Sequence, residues 1–240
     1  MSIFSKTLTA VWKLMTAPYC PVCGELLREG EMFVCTQCRY EAPLTNFWLN
    51  DNNPMVQRFW GLVPIRRASA FLWFIDQSRW RHLIHLFKYK GHWPIAERLG
   101  KWYGHELCHA NALEGVDVIV PVPLHWVKRM KRSYNQSESV ATGISRAARI
   151  PRDFGAVKRV RNNPSQALKG RNERWDNVAG IFKVTHPERL RGRHILLVDD
   201  VFTTGATVIS CAEAIFAACD GDVEISVAAL AISHRMFGND

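Results

Sequence analysis

The residues best suited to chemistry are Asp199-Asp200 and, three positions on, Thr203-Thr204-Gly205-Ala206-Thr207. Two adjacent carboxylates repel an anion but suit the vicinal hydroxyls of a sugar, or a hydrated magnesium ion. A turn of hydroxyls and glycine that opens a helix offers unpaired backbone N–H groups and the positive end of a helix dipole, which suit a phosphate. Together they predict a phosphorylated sugar as ligand. The competing reading is a strand end whose aspartates and threonines cap the next helix. Capping uses one such residue, whereas this run holds two carboxylates and three threonines.

Both groups need a rigid frame. Ile195-Leu196-Leu197-Val198 is a run of branched aliphatics with no polar face, the pattern of a buried strand, and an alanine-rich helix is expected from about Val208 to Ala218. A second buried strand, Val116 to Leu124, runs into a turn held by Pro121 and Pro123. Behind it come Lys128, Arg129, Lys131 and Arg132, then Ser133-Tyr134-Asn135-Gln136 and a helix to about Arg149. Cations after a strand suit a pyrophosphate, because arginine presents a planar fork to phosphate oxygens; the alternative is a wet helix face. Gly180 to Val184 and Val223 to Ala229 add short strands. From Val116 onwards this order predicts an α/β fold with a doubly wound, mostly parallel sheet and its ligand at the carboxyl ends of the strands.

Cys20-Pro21-Val22-Cys23 and Cys35-Thr36-Gln37-Cys38 are separated by eleven residues. Four thiolates on one short hairpin can close a tetrahedral site, the zinc-ribbon geometry, and Gly24 allows the positive φ such turns often need. The alternatives are a pair of disulfides or four ordinary cysteines. Seven cysteines, an odd number, without a recognisable export signal predict a reducing compartment. A ribbon this short has little apolar core, so the expected Zn2+ is structural.

A length of 240 residues suits one sizeable domain plus a small module. The module is expected over residues 1–50 and the larger domain over 55–240, with Asn46 to Pro54 as linker and 55–110 as a helical, tryptophan-rich subregion. Between Arg79 and Lys88, Trp80, Leu83, Ile84 and Phe87 share one helical face opposite Arg79, Arg81, His82, His85 and Lys88. That face reads either as core or as a platform for single-stranded nucleic acid. Pro94 starts another helix, with Ile95, Leu99, Trp102, Tyr103 and Leu107 inward. Phe4, Leu8, Val11, Trp12 and Met15 form a helical face that packs on the domain or lies on a membrane surface. The formal charge of +9, from 31 Lys plus Arg against 22 Asp plus Glu, favours polyanionic partners. No apolar run approaches the ~20 residues of a membrane span, and the expected location is the cytoplasm.

The string Ile195 to Thr207 resembles, at every position, the signature of type I phosphoribosyltransferases, which bind 5-phosphoribosyl-1-pyrophosphate (PRPP). That resemblance implies a type I phosphoribosyltransferase-like sheet in which Asp199 and Asp200 lie along the ribose hydroxyls. Thr203, Thr204, Gly205, Ala206 and Thr207 would hold the 5′-phosphate. The ordered set Phe87-Lys88-Tyr89-Lys90-Gly91, Val118 to Leu124, Arg132 to Gln136, then Gln166 with Arg174 and Asn177, all behind a four-cysteine knuckle, resembles the ComF competence family. Its relatives include the GntX-type DNA-utilisation proteins. The resemblance covers nearly the whole chain. It implies pyrophosphate contacts from Arg129, Arg132, Asn135 and Gln136. It also implies a mobile loop over Lys158 to Arg174, a basic stretch without helical or strand period, from which Arg159, Gln166 and Arg174 approach the substrate. Two positions depart from the family pattern: Ser133 stands where glycine is usual, and Asn163 where a threonine is.

The implied reaction expels pyrophosphate from the anomeric carbon, so positive charge develops on the ribose ring. Mg2+ and the basic cluster would stabilise the leaving group, and Asp199 and Asp200 the developing cation. No residue identifies itself as a base, and nothing identifies an acceptor. Two functions follow. A ComF-type protein would handle single-stranded DNA at the inner face of the membrane, beside a translocating ATPase. A salvage-type transferase would join PRPP to a small base. The cysteine ribbon and the excess positive charge are unnecessary for the second and favour the first.

Overall fold

The computed structural model describes residues 19–76, 78–89, 93–124, 134–161, 180–234 and 237. Its elements are α1 (Thr36–Tyr40), β1 (Ala68–Phe74), α2 (Arg79–Tyr89), α3 (Trp93–His109), β2 (Val118–Pro121), α4 (Gln136–Ala148), β3 (Val157–Arg159), β4 (Phe182–Val184), β5 (His194–Phe202), α5 (Ala206–Ala218) and β6 (Glu224–Ser233). Four strands form one sheet in the order β1-β6-β5-β2, every pair parallel. β3 and β4 form a separate antiparallel ribbon.

β5 shows why the sheet is doubly wound. Leu196 and Val198 pack with Leu99, Tyr103, Val140 and Ile144 of α3 and α4. Ile195 and Leu197 pack with Val208, Cys211, Ala212 and Ile215 of α5. Helices on both faces leave a central strand no position for a polar side chain, hence the unbroken aliphatic run. On the first face, α3 and α4 meet backbone to backbone. A Cβ on Gly143 would sit 2.1 Å from the Glu97 carbonyl oxygen, and one on Gly100 would sit 2.4 Å from that of Val140. This contact sets where the amino end of α4 meets the sheet.

The asparagine-rich segment Asn46 to Pro54 is packed and not an open linker. Phe47 and Trp48 are buried. The Asn53 carboxamide donates to the carbonyls of Phe47, Asn50 and Ala68 and accepts from the amides of Met55 and Val56. A short polar side chain here replaces missing backbone partners, a role indistinguishable from solvation in sequence alone. Residues 55–110 are not helical throughout, because β1 lies within them and pairs with β6 from Ala68↔Val227 to Phe74↔Ser233. Its partner is remote in sequence, and strand propensity is weak evidence without one. Trp80, Leu83 and Ile84 of α2 are buried, so that apolar face is core and not a stacking platform. The basic stretch from Lys158 begins in a strand, since Val157–Arg159 pairs with Phe182–Val184. The expected face Phe4 to Met15 lies outside the described residues. Among the described residues no helix is long and apolar enough to cross a membrane.

The cysteine hairpin rests on α3. Val22, Leu27 and Val34 join the cluster of Leu99 and Tyr103. The Arg98 guanidinium donates to the Met32 carbonyl at 3.2 Å and lies 5.7 Å from the centre of the Phe33 ring.

Candidate ligand site and four-cysteine knuckle

β5 delivers Asp199 and Asp200 to the carboxyl rim of the sheet, Asp199 buried and Asp200 half-buried. Asp199 Oδ1 accepts hydrogen bonds from Ser137 Oγ at 3.1 Å and from the Asp200 amide at 2.8 Å. Asp200 Oδ1 accepts from the Val201 amide at 2.7 Å. One carboxylate is thereby clamped against α4 while the other is held beside the rim.

The turn follows at once. Thr203, Thr204, Ala206 and Thr207 are exposed, and Gly205 is buried with φ +80° at the start of α5. The conformation needs glycine twice over, because a Cβ there would also lie 2.6 Å from the Phe202 ring. Among the described residues no side chain caps the amino end of α5; the Ala206 amide makes a long bond, 3.4 Å, to Thr204 Oγ1. The first-turn amides of a helix lack intrahelical acceptors, and the dipole adds positive charge there. Such a turn presents donors of the kind an anion accepts from.

α4 begins beside the same rim. Asn135 is its cap, accepting from the Ser137 amide at 3.2 Å and donating to the Val122 carbonyl at 3.1 Å. Asn135 and Gln136 are both buried, whereas Arg129 and Arg132 lie outside the described residues. Arg159 stands on β3 with its guanidinium 5.5 Å from the centre of the Phe182 ring. Burial lowers its pKa, and the negative charge of Asp199 acts against that lowering. Gln166 and Arg174 lie outside the described residues. Two contributors escaped the sequence reading. Ser137 reaches Asp199 from 62 positions away, and its only sequence signal is its place in the first turn of a helix. Cys211 on α5 is buried; burial pushes its thiol up, and the nearby Asp199 charge adds to the shift.

In the knuckle, Cys20, Cys23, Cys35 and Cys38 bring their Sγ atoms within 4.8 Å of one another. The Cys35 amide donates to Cys20 Sγ and the Cys38 amide to Cys35 Sγ, each at 3.4 Å. Gly24 turns with φ +80°, its amide donating to the Cys20 carbonyl at 2.8 Å. Burial raises the Cys20 thiol, but hydrogen bonds from the Cys35, Cys23 and Val22 backbone outweigh it and bring the pKa down to about 7. Cys38 is driven up by burial and by its thiol neighbours. Four converging sulfurs at this spacing fit a divalent, borderline-soft cation such as zinc, whose binding would draw the protons from the thiols.

These observations define first a class: a parallel α/β protein in which an acid pair and a threonine-glycine turn meet at the carboxyl rim of the sheet. Its relatives are more particular. The DNA utilization protein YhgH of Escherichia coli (strain K12) is 34% identical over 134 residues, which is 55% of this chain and 58% of that protein. Competence protein F of Haemophilus influenzae is 29% identical over 203 residues, 82% of this chain and 77% of that protein. Competence protein ComFC of Bacillus subtilis (strain 168) is 34% identical over 91 residues, 38% of this chain and 35% of that one. The chain spans little more than half the length of YhgH. No family model matches it. Among solved structures, the glutamine PRPP amidotransferase from B. subtilis, complexed with ADP and GMP, is similar at TM-score 0.38 and 21% identity, over 55% of this chain and 26% of that one. The chain is a homologue of competence protein F, of ComFC and of the DNA utilization protein YhgH.

Proposed function

We propose that this chain is a ComF-type protein that binds PRPP at the carboxyl rim of β5 and handles single-stranded DNA. The observation that carries the reading is the junction of Asp199 and Asp200 with the exposed, uncapped Thr203–Thr207 turn. In this reading the turn holds the 5′-phosphate through backbone amides and threonine hydroxyls. Asp199 and Asp200 fix the ribose hydroxyls and offset charge developing at the anomeric carbon. Asn135 and Gln136, with Arg129 and Arg132, would contact the pyrophosphate, and Arg159 of β3, with Gln166 and Arg174, would approach it. Bound Mg2+ would neutralise pyrophosphate charge. Cys20, Cys23, Cys35 and Cys38 would hold one structural Zn2+, whose binding energy stabilises a hairpin too small to fold on its own apolar contacts.

The DNA half of the reading is supported by the names of the relatives and by the charge of +9. Its test is titration of labelled single-stranded oligonucleotides across a salt series, in parallel with calorimetric PRPP titration. Affinity falling log-linearly with salt is expected. An affinity no better than for an uncharged control at low salt would refute DNA handling. Pyrophosphate release with small free bases, and none with DNA, would convert the reading to salvage.

A further inference from the structure

Beside the acid pair, the rim carries an aromatic group that the proposed sugar phosphate does not use. β1, β6 and β5 are parallel, so their carboxyl ends lie together, and Trp73, Ile232 and Phe202 form one row across them. All three pack on the α5 side of the sheet. Phe202 lies against Gly205 of the threonine turn, and Phe59 packs on Phe202 at 5.6 Å. Two strand spacings, about 10 Å, therefore separate Phe202 from Trp73 along the rim.

Around Trp73 stand His234 at 5.5 Å and Phe237 at 5.7 Å, both edge-on, and the Arg58 guanidinium lies 5.3 Å from the centre of the Phe237 ring. Arg58 and His234 are exposed, while Trp73 and Phe237 are half-buried. Trp60 directly follows Phe59 in the chain, is 63% exposed, and makes no ring contact among the described residues. An indole left in water contributes little to the core, whereas aromatic faces interleaved with cations are what unpaired bases stack on.

We propose that Arg58, Trp60, Trp73, His234 and Phe237 form a stacking lip for the bases of single-stranded DNA, alongside the phosphate-binding turn. The proposal rests on the DNA-handling reading above and assigns it a place. Charge supports this occupant and disfavours the knuckle as its place. The chain as a whole carries +9, whereas the knuckle, which also exposes Tyr19, Leu26, Met32 and Tyr40, holds four glutamates against two arginines between residues 19 and 45. A polyanion is repelled there and attracted to the remainder. Duplex DNA keeps its bases stacked and offers such a lip nothing.

The test compares a labelled dT oligonucleotide with an abasic oligonucleotide of equal length, at one salt concentration, on the full chain. Wild type is expected to bind dT more tightly. Trp60→Ala and His234→Ala, both at exposed positions, are each expected to weaken dT binding about tenfold, the loss of one stacked base. Neither should alter abasic binding. Wild-type preference for dT that survives in both variants would overturn the lip, as would equal wild-type affinity for the two oligonucleotides. Variants that weaken both oligonucleotides alike would also overturn it, since that effect is charge or fold. Wild type that binds neither oligonucleotide overturns the DNA-handling reading, and the lip with it.

Discussion

The knuckle and the acid-pair rim reach comparable complexity by opposite routes. The knuckle's four sulfurs come from one hairpin, Cys20 to Cys38, and its N–H···S bonds stay within that hairpin. The rim takes Asp199 from β5, Ser137 from α4, the threonine turn from the start of α5 and Arg159 from β3. A local site depends on turn geometry and, in the proposed reading, on its metal. A distributed site depends on every contact that sets one element against another, above all the glycine contact of α3 with α4. The two should therefore fail differently.

The largest effect is expected from Asp199→Asn with Asp200→Asn. PRPP affinity should fall at least about a hundredfold, because charge-assisted bonds to the ribose are lost together. The circular dichroism melt should shift little. Retained PRPP binding would show that the rim is not the site. Next is Gly143→Leu, which forces a side chain into the Glu97 backbone. A loss of about 3 kcal/mol is expected, lowering the melting temperature by about 6–12 °C. PRPP affinity should decline with it, since Ser137 and Asn135 ride on the same helix. A wild-type melt would show that the α3–α4 contact does not position the rim.

Cys20→Ser tests the other side of the comparison. Bound zinc, assayed by a chromogenic chelator after denaturation, should fall from one ion per chain to none. Val22, Leu27 and Val34 pack in the α3 cluster, so the remaining fold should lose a few degrees of stability, about 1–2 kcal/mol. PRPP affinity should stay within about twofold. Its loss would show that the knuckle is part of the ligand site.

The smallest effect belongs to the far end of β5. His194 is buried there with Nε2 2.8 Å from Ser226 Oγ, and burial holds its pKa below the ordinary 6.5. The folded state therefore disfavours the proton. Stability from this group is complete above about pH 6.5 and is lost as pH falls through the folded pKa. Urea midpoints measured from pH 7.5 to 5 should decline for wild type and decline less for His194→Gln. Equal slopes would remove His194 as the cause, and PRPP binding at pH 7.5 should be unchanged in either case.

Legibility followed the same division. The cysteine spacing, the aliphatic run before Asp199 and the glycine of the turn could each be read from the residues, because each is enforced by local sterics or by burial on two faces. β1 was hidden inside a segment that looked helical, because Ala68–Phe74 becomes a strand only against β6. Asn53 looked like linker because a buried carboxamide that satisfies five backbone groups has the same composition as a solvated one. Trp80 could be read as platform or core until its burial decided for core.

The chain's residues alone therefore determined the groups available: four thiols at metal-binding spacing, two adjacent acids, and a hydroxyl-lined turn at a helix start. Those features are contiguous, and short-range geometry suffices to specify them. Tertiary structure decided that Ser137 holds Asp199, that Arg159 feels its charge, and that Trp73 shares a row with Phe202. These relations join residues far apart in the chain. They exist only once a parallel sheet has brought the carboxyl ends of its strands together.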